Sequence, residues 1–118
     1  MENEWLTQQE EGQLSVDVLE GDKEIVIRSA IAGVKPKDLD VYITHDMVTI
    51  KGERKVEEHI DNPTYHYQEC HFGAFSRSIV LPCPIKPDEA QAELKDGILT
   101  IRLPKTKTSA SLFIKEVE

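Results

Sequence analysis

His66, Cys70 and His71 stand close together, with His59 shortly before them. Imidazole and thiolate are good ligands for zinc or copper, and a cysteine beside a histidine is the raw material of an activated nucleophile. The surroundings oppose both chemistries. The stretch is β-prone, and adjacent residues of a strand point to opposite faces. Cys70 and His71 therefore do not easily share a ligand sphere or a hydrogen bond, and ordinary surface and edge residues are the preferred reading. The sequence carries no Gly-x-Ser-x-Gly elbow, phosphate-cradling glycine loop or zinc-protease helix. Its 22 Asp and Glu are mixed with 14 Lys and Arg along the chain, which describes a solvated surface rather than acid–base machinery. Cys83, in Leu81-Pro82-Cys83-Pro84, marks a rigid strand exit. The expectation is a protein that is not an enzyme, with no catalytic residue, no cofactor and no metal.

The chain has 118 residues, enough for one domain with its own core. A net charge of −8 argues against a phosphate-tracking surface and so against nucleic acid as a partner. Charged residues make up 31% of the chain and are mixed in sign, as in a globular domain. Two cysteines are too few for a disulfide framework and match no zinc spacing. Residues 1–22 contain no Lys, no Arg and no long apolar run, so no targeting leader is expected. No apolar segment approaches membrane-spanning length. These features together predict a reduced, cytoplasmic protein without a membrane partner.

The elements that must position any functional residue are strands. Leu14, Val16 and Val18 alternate with polar residues, as do Ile25 and Ile27 after the turn at Gly21-Asp22. Leu39, Val41 and Ile43 alternate next, then His45-Asp46 reads as a two-residue turn into Val48 and Ile50, ending at Gly52. This period of two places one face on a core. Residues 53–71 are charged and lack a clean period, apart from the β-prone piece Thr64-Tyr65-His66-Tyr67. A connection this long inside a compact domain is usually functional. Strand character resumes over residues 74–81. Pro82, Pro84 and Pro87 then exclude a central strand, and residues 87–91 predict one helical turn. A hairpin follows over residues 92–105, with Asp96-Gly97 as its turn, the strongest short-range hairpin signal. Short strands at regular spacing with almost no helix predict an all-β chain folded as a β-sandwich. The tail is polar over residues 106–111, and Leu112-Phe113-Ile114 forms an apolar island near its end.

Three stretches together resemble the alpha-crystallin domain of the small heat-shock proteins, in its bacterial and plant form. One is Ala92 with Asp96-Gly97-Ile98-Leu99, followed by Leu103-Pro104-Lys105. The second is Phe72-Gly73-Ala74-Phe75-Ser76-Arg77, then Leu81-Pro82. The third runs from Ala30-Ile31-Ala32-Gly33-Val34 through Asp38-Leu39-Asp40-Val41 to Val48-Thr49-Ile50-Lys51-Gly52-Glu53-Arg54. The likeness covers about residues 12–105, with the motifs in the family's order.

The resemblance implies an immunoglobulin-like antiparallel sandwich with a long strand-exchange loop. Its parts would be a short flexible arm over residues 1–12, the domain over 13–105 and a tail over 106–118. It implies an ATP-independent chaperone that holds partly unfolded proteins and keeps them from aggregating. It also implies a homodimer, and larger homo-oligomers, in which the strand Tyr65-His66-Tyr67 pairs with the partner and Arg77 lies near that contact. A groove between the strands Leu39–Ile43 and Ala90–Leu94, lined by Val41, Ile43, Ala92 and Leu94, would take a neighbour's tail through Leu112 and Ile114. Two departures stand out. The arm is short, with Trp5 and Leu6 as its apolar anchors, and Glu69-Cys70 replaces a glutamate followed by a basic residue. The competing expectation is a co-chaperone adaptor of the CS-domain type, which shares the sandwich. The length of the 53–71 segment and the Phe75-x-Arg77 pairing count against it.

Overall fold

Period-two alternation is realised as eight strands in a computed structural model that describes residues 12–106, 112 and 114–117. They are β1 (Gly12–Gln13), β2 (Asp17–Glu20), β3 (Glu24–Ala30), β4 (Leu39–Ile43), β5 (Met47–Arg54), β6 (Gly73–Val80), β7 (Gln91–Lys95) and β8 (Ile98–Pro104). Two sheets result, in the orders β1-β6-β5-β4 and β2-β3-β8-β7. The residues that alternation assigns to the inner faces meet between them. Ile25, Ile27, Ile31, Val48, Ile50, Ile85, Ile101 and Leu103 are completely buried. Cross-strand register stacks them, with Ile25 opposite Leu103 and Ile27 opposite Ile101. Burying such a side chain contributes about 1.5–3 kcal/mol.

The turns follow the chemistry of their residues. Asp96 and Gly97 have φ of 52° and 77° and join Lys95 to its register partner Ile98. A two-residue hairpin turn of this hand needs positive φ at both positions, which aspartate tolerates and glycine adopts freely. The Gly97 carbonyl also accepts a hydrogen bond from the Ile31 amide at 2.6 Å. His45-Asp46 is the expected turn between β4 and β5, closed by the Thr44 amide donating to the Met47 carbonyl at 2.9 Å. The proline-rich exit from β6 folds back on it, where the Ile85 amide donates to the His45 carbonyl at 2.8 Å. The helical turn expected over 87–91 is a 3-10 turn at Pro87–Glu89. A second 3-10 turn, Pro36–Asp38, starts on Pro36, whose fixed φ suits a first helical position.

Gly52 is required for a different reason. A Cβ there would lie 2.6 Å from Cζ of Phe75 and 3.0 Å from the Asp38 carbonyl. The ring of Phe75, directly opposite Gly52 in register, occupies the missing side chain's place.

One expectation needs correction. Leu14, Val16 and Val18 do not form one strand. The chain splits into β1, which joins β6 in the first sheet, and β2, which joins β3 in the second. Between them Leu14 is buried and the chain crosses from one layer to the other, so the alternation serves two different sheets. The β1–β6 pair is parallel, which makes the sandwich antiparallel except at this edge. The β-prone piece Thr64–Tyr67, expected to pair with a partner, forms no strand within the single chain. Residues 55–70 are all exposed, and β propensity alone does not make a strand where no neighbouring edge supplies hydrogen bonds.

Candidate assembly and client-binding site

Edge strands decide what this sandwich can bind. Among the described residues, β1 and β4 close one sheet and β2 and β7 close the other, and each has one side without a strand partner. An unpaired edge presents a row of free backbone donors and acceptors. On β4, β7 and β2, core-facing residues are also incompletely covered. On β4, Val41 and Ile43 lie opposite the buried Ile50 and Val48, yet both are only half-buried. On β7, Leu94 is half-buried and Ala92, opposite the fully buried Ile101, is exposed. Exposure of a core-facing alanine means that the other sheet covers it incompletely. Val41, Ile43 and Leu94 pack against one and the same buried cluster. The four residues expected to line a groove are therefore the inward positions of two edge strands, at the margin of one core.

Sequence reasoning missed the edge at β2. Val18 of β2 lies opposite the buried Ile27, yet it is 41% exposed, and its neighbour Leu19 is 40% exposed. The signal was the pair of adjacent apolar residues, which alternation alone discards.

Tyr65, His66 and Tyr67 stand outside the sandwich. The two tyrosines are 64% and 86% exposed, high for aromatic side chains, which carry a large apolar area. Arg77 is not with them. It follows Phe75 on the core-facing side of β6 and donates from Nη1 to the Leu14 carbonyl at 2.9 Å. Within one chain its role is to hold the crossing segment between β1 and β2. Leu112 and Ile114 are 86% and 88% exposed, while Phe113 lies outside the described residues, as do Trp5 and Leu6.

The residues first considered for chemistry do not converge. His71 donates from Nε2 to the Ala74 carbonyl at 2.7 Å, and His66 and Cys70 are exposed on the loop. Among the described residues no three His, Cys, Asp or Glu side chains are grouped as metal ligands would be. The charged contacts are structural. Lys105, with its side chain 17% exposed, bonds Glu20 at 2.7 Å, and that hydrogen bond holds the Lys105 ammonium above its ordinary pKa. Lys35 and Glu57 meet at 2.7 Å; their hydrogen bond raises the lysine and lowers the carboxylate.

With this geometry in hand, known proteins supply a frame. The family described as Hsp20/alpha crystallin matches residues 17–118. Heat shock protein 16 of Schizosaccharomyces pombe is 36% identical over 110 residues, which is 88% of this chain and 76% of that protein. Small heat shock protein C2 of Rickettsia felis is 36% identical over 89 residues, 75% of this chain. The chain spans 58% of the length of that Rickettsia relative. Among solved structures, heat shock protein 16.0 from Schizosaccharomyces pombe has 33% identity and a TM-score of 0.72, covering 89% of this chain and 100% of that one.

Proposed function

The chain belongs to the Hsp20/alpha crystallin family, and on that premise we propose that it is an ATP-independent chaperone that holds partly unfolded proteins. The observation that carries this reading is the set of uncovered core-facing residues, Val18, Val41, Ile43, Ala92 and Leu94, on strands with a free edge. A partly unfolded client exposes apolar surface and unpaired strands. An edge with apolar inward positions answers both, by strand addition and by side-chain burial.

Assembly uses the same edges. In this reading Tyr65-His66-Tyr67 of one subunit adds to the free side of β2 of its partner, giving a two-fold homodimer by exchange of loops. Arg77, which holds the chain just before β2, steadies the edge that receives the strand. Leu112 and Ile114 of a neighbour enter the margin lined by Val41, Ile43, Ala92 and Leu94, since residues two apart on an extended chain point the same way. Larger homo-oligomers follow from that second contact. The proposed setting is the cytoplasm.

The deciding experiment is light scattering of a heated model client, with and without the full chain and without nucleotide. Suppressed scattering near equimolar chaperone is expected; undiminished scattering at a several-fold excess would remove the holdase reading. Deletion of residues 57–69 is expected to give monomers by multi-angle light scattering, and a surviving dimer would refute loop exchange. Leu112→Ala with Ile114→Ala is expected to lower the oligomer mass, and an unchanged mass would detach the tail from assembly.

A further inference from the structure

The long loop leaves the sandwich in a definite direction, although residues 55–70 are all exposed and packing cannot set it. Polar contacts at its root do. Arg54 is the last residue of β5 and the first of the outgoing limb. It donates from Nε to the Ala32 carbonyl at 2.7 Å and from Nη1 to the His71 carbonyl at 2.7 Å. Ala32 belongs to the connection between β3 and β4, and His71 to the returning limb. One planar guanidinium thus ties both limbs to the body, a task that the single ammonium of a lysine performs poorly.

Two ion pairs continue the attachment along the outgoing limb. Lys55 meets Asp38 at 3.1 Å and Glu57 meets Lys35 at 2.7 Å, so both pairs reach the same short turn around Pro36–Asp38. Between limb and turn lies a cleft of about 500 Å³ bordered by Val34, Val56 and Phe72. These contacts hold the limb across the cleft.

We infer that Arg54 is a positioning residue for subunit pairing, and that the loop root is a salt-tunable hinge that aims the exchange strand at the partner. The inference rests on the loop-exchange reading above. A segment already held in its bound direction loses less freedom on association, which raises affinity without any new contact. The division of labour follows from the acceptors. Arg54 bonds neutral carbonyls, so salt affects it little, whereas exposed ion pairs are screened. Arg54 sets the bearing and the two pairs adjust it.

The test is sedimentation of the full chain and four variants, Arg54→Met, Arg54→Lys, the double variant Lys35→Ala with Lys55→Ala, and the 57–69 deletion. Hydrogen exchange over residues 56–71 is read alongside. Arg54→Met is expected to weaken the dimer about tenfold and to speed exchange in the loop, with Arg54→Lys recovering part of each. Raising salt from about 0.05 M to about 0.5 M is expected to weaken the wild-type dimer several-fold and the double variant less. A wild-type dissociation constant for Arg54→Met, read well below its melting temperature, overturns the inference even if that temperature falls. If Arg54→Met does not fold, a wild-type constant for Arg54→Lys overturns it. A dimer that survives the deletion removes the loop-exchange reading itself, and a monomeric deletion beside an unaltered Arg54→Met removes the hinge alone.

Discussion

In the hairpin of β7 and β8 the chain meets its own needs, whereas in the loop between β5 and β6 it does not. The hairpin closes on Asp96-Gly97, pairs Lys95 with Ile98, and buries Leu99, Ile101 and Leu103 against the core. The loop carries two aromatic rings, Tyr65 and Tyr67, into solvent and, among the described residues, is attached to the body near its root. Both segments carry β-forming residues, in the loop the short piece Thr64-Tyr65-His66-Tyr67. The difference is whether a hydrogen-bonding edge lies within reach of the same chain. Composition sets a preference for extended backbone, but a neighbour turns it into a strand.

If the hairpin is self-sufficient, cutting into it should unfold the subunit. Ile101→Ala, at a fully buried site, is expected to cost about 2–5 kcal/mol in urea unfolding. A loss below 1 kcal/mol would mean that the core tolerates a hole at its centre. Gly52→Ala, which drives a methyl group against Phe75, is expected to cost about 1–3 kcal/mol. A neutral result would show that the ring moves aside freely. In the loop, Tyr65→Ala with Tyr67→Ala should change the unfolding free energy of dilute subunits by no more than about 0.5 kcal/mol per site. The same variant should lose the dimer. A large stability loss at concentrations too low for association would show that the loop serves its own domain after all.

The smallest expected effect is a pH response at the loop root. Glu57 has its pKa lowered from an ordinary 4.5, chiefly by the hydrogen bond from Lys35. Its contribution is therefore complete above that ordinary value and is lost as pH falls through the lower, folded one. Lys35 is raised from 10.5, so its share is complete below 10.5 and is lost as pH rises through the higher folded value. The ion pair holds through the whole neutral range and loosens only in acid or strong alkali. The amide shift of Val56, followed by NMR from pH 7 downward, is expected to move below pH 4.5, and Glu57→Gln is expected to abolish that step. A step that survives the substitution belongs to another carboxylate.

Much of the sandwich was legible because its strands obey period two and its turns use residues with one conformational use each. Asp96-Gly97, His45-Asp46 and the prolines after Leu81 all behave as their chemistry dictates. The split of residues 12–20 into β1 and β2 was not legible, since alternation does not say which sheet a strand joins, and Leu14 buries itself while passing between layers. The inward positions Val41, Ile43, Ala92 and Leu94 came from family resemblance, and the fold places all four on edge strands. Val18 and Leu19 were overlooked because exposure of an edge is a property of the assembled sheets. Arg54 carried no local signal, because its acceptors Ala32 and His71 lie far from it in sequence. Backbone carbonyls have no side-chain identity by which a sequence could announce them.

The long-range register of β3 has a consequence during synthesis. Ile27 pairs with Ile101, so most of the chain is translated between the two partners. Until β8 leaves the ribosome, β3 has only β2 beside it in its sheet, and its other backbone edge is unpaired. At about 5–20 residues per second that interval lasts several seconds. For those seconds the nascent polypeptide exposes the apolar surface and unpaired strand edge that the proposed function assigns to a client. Release of chains stopped before Leu99, with and without completed protein, would reveal such mutual protection as a difference in aggregate. Under the proposed holdase reading, an unfinished copy of the chain is itself a client of a finished one.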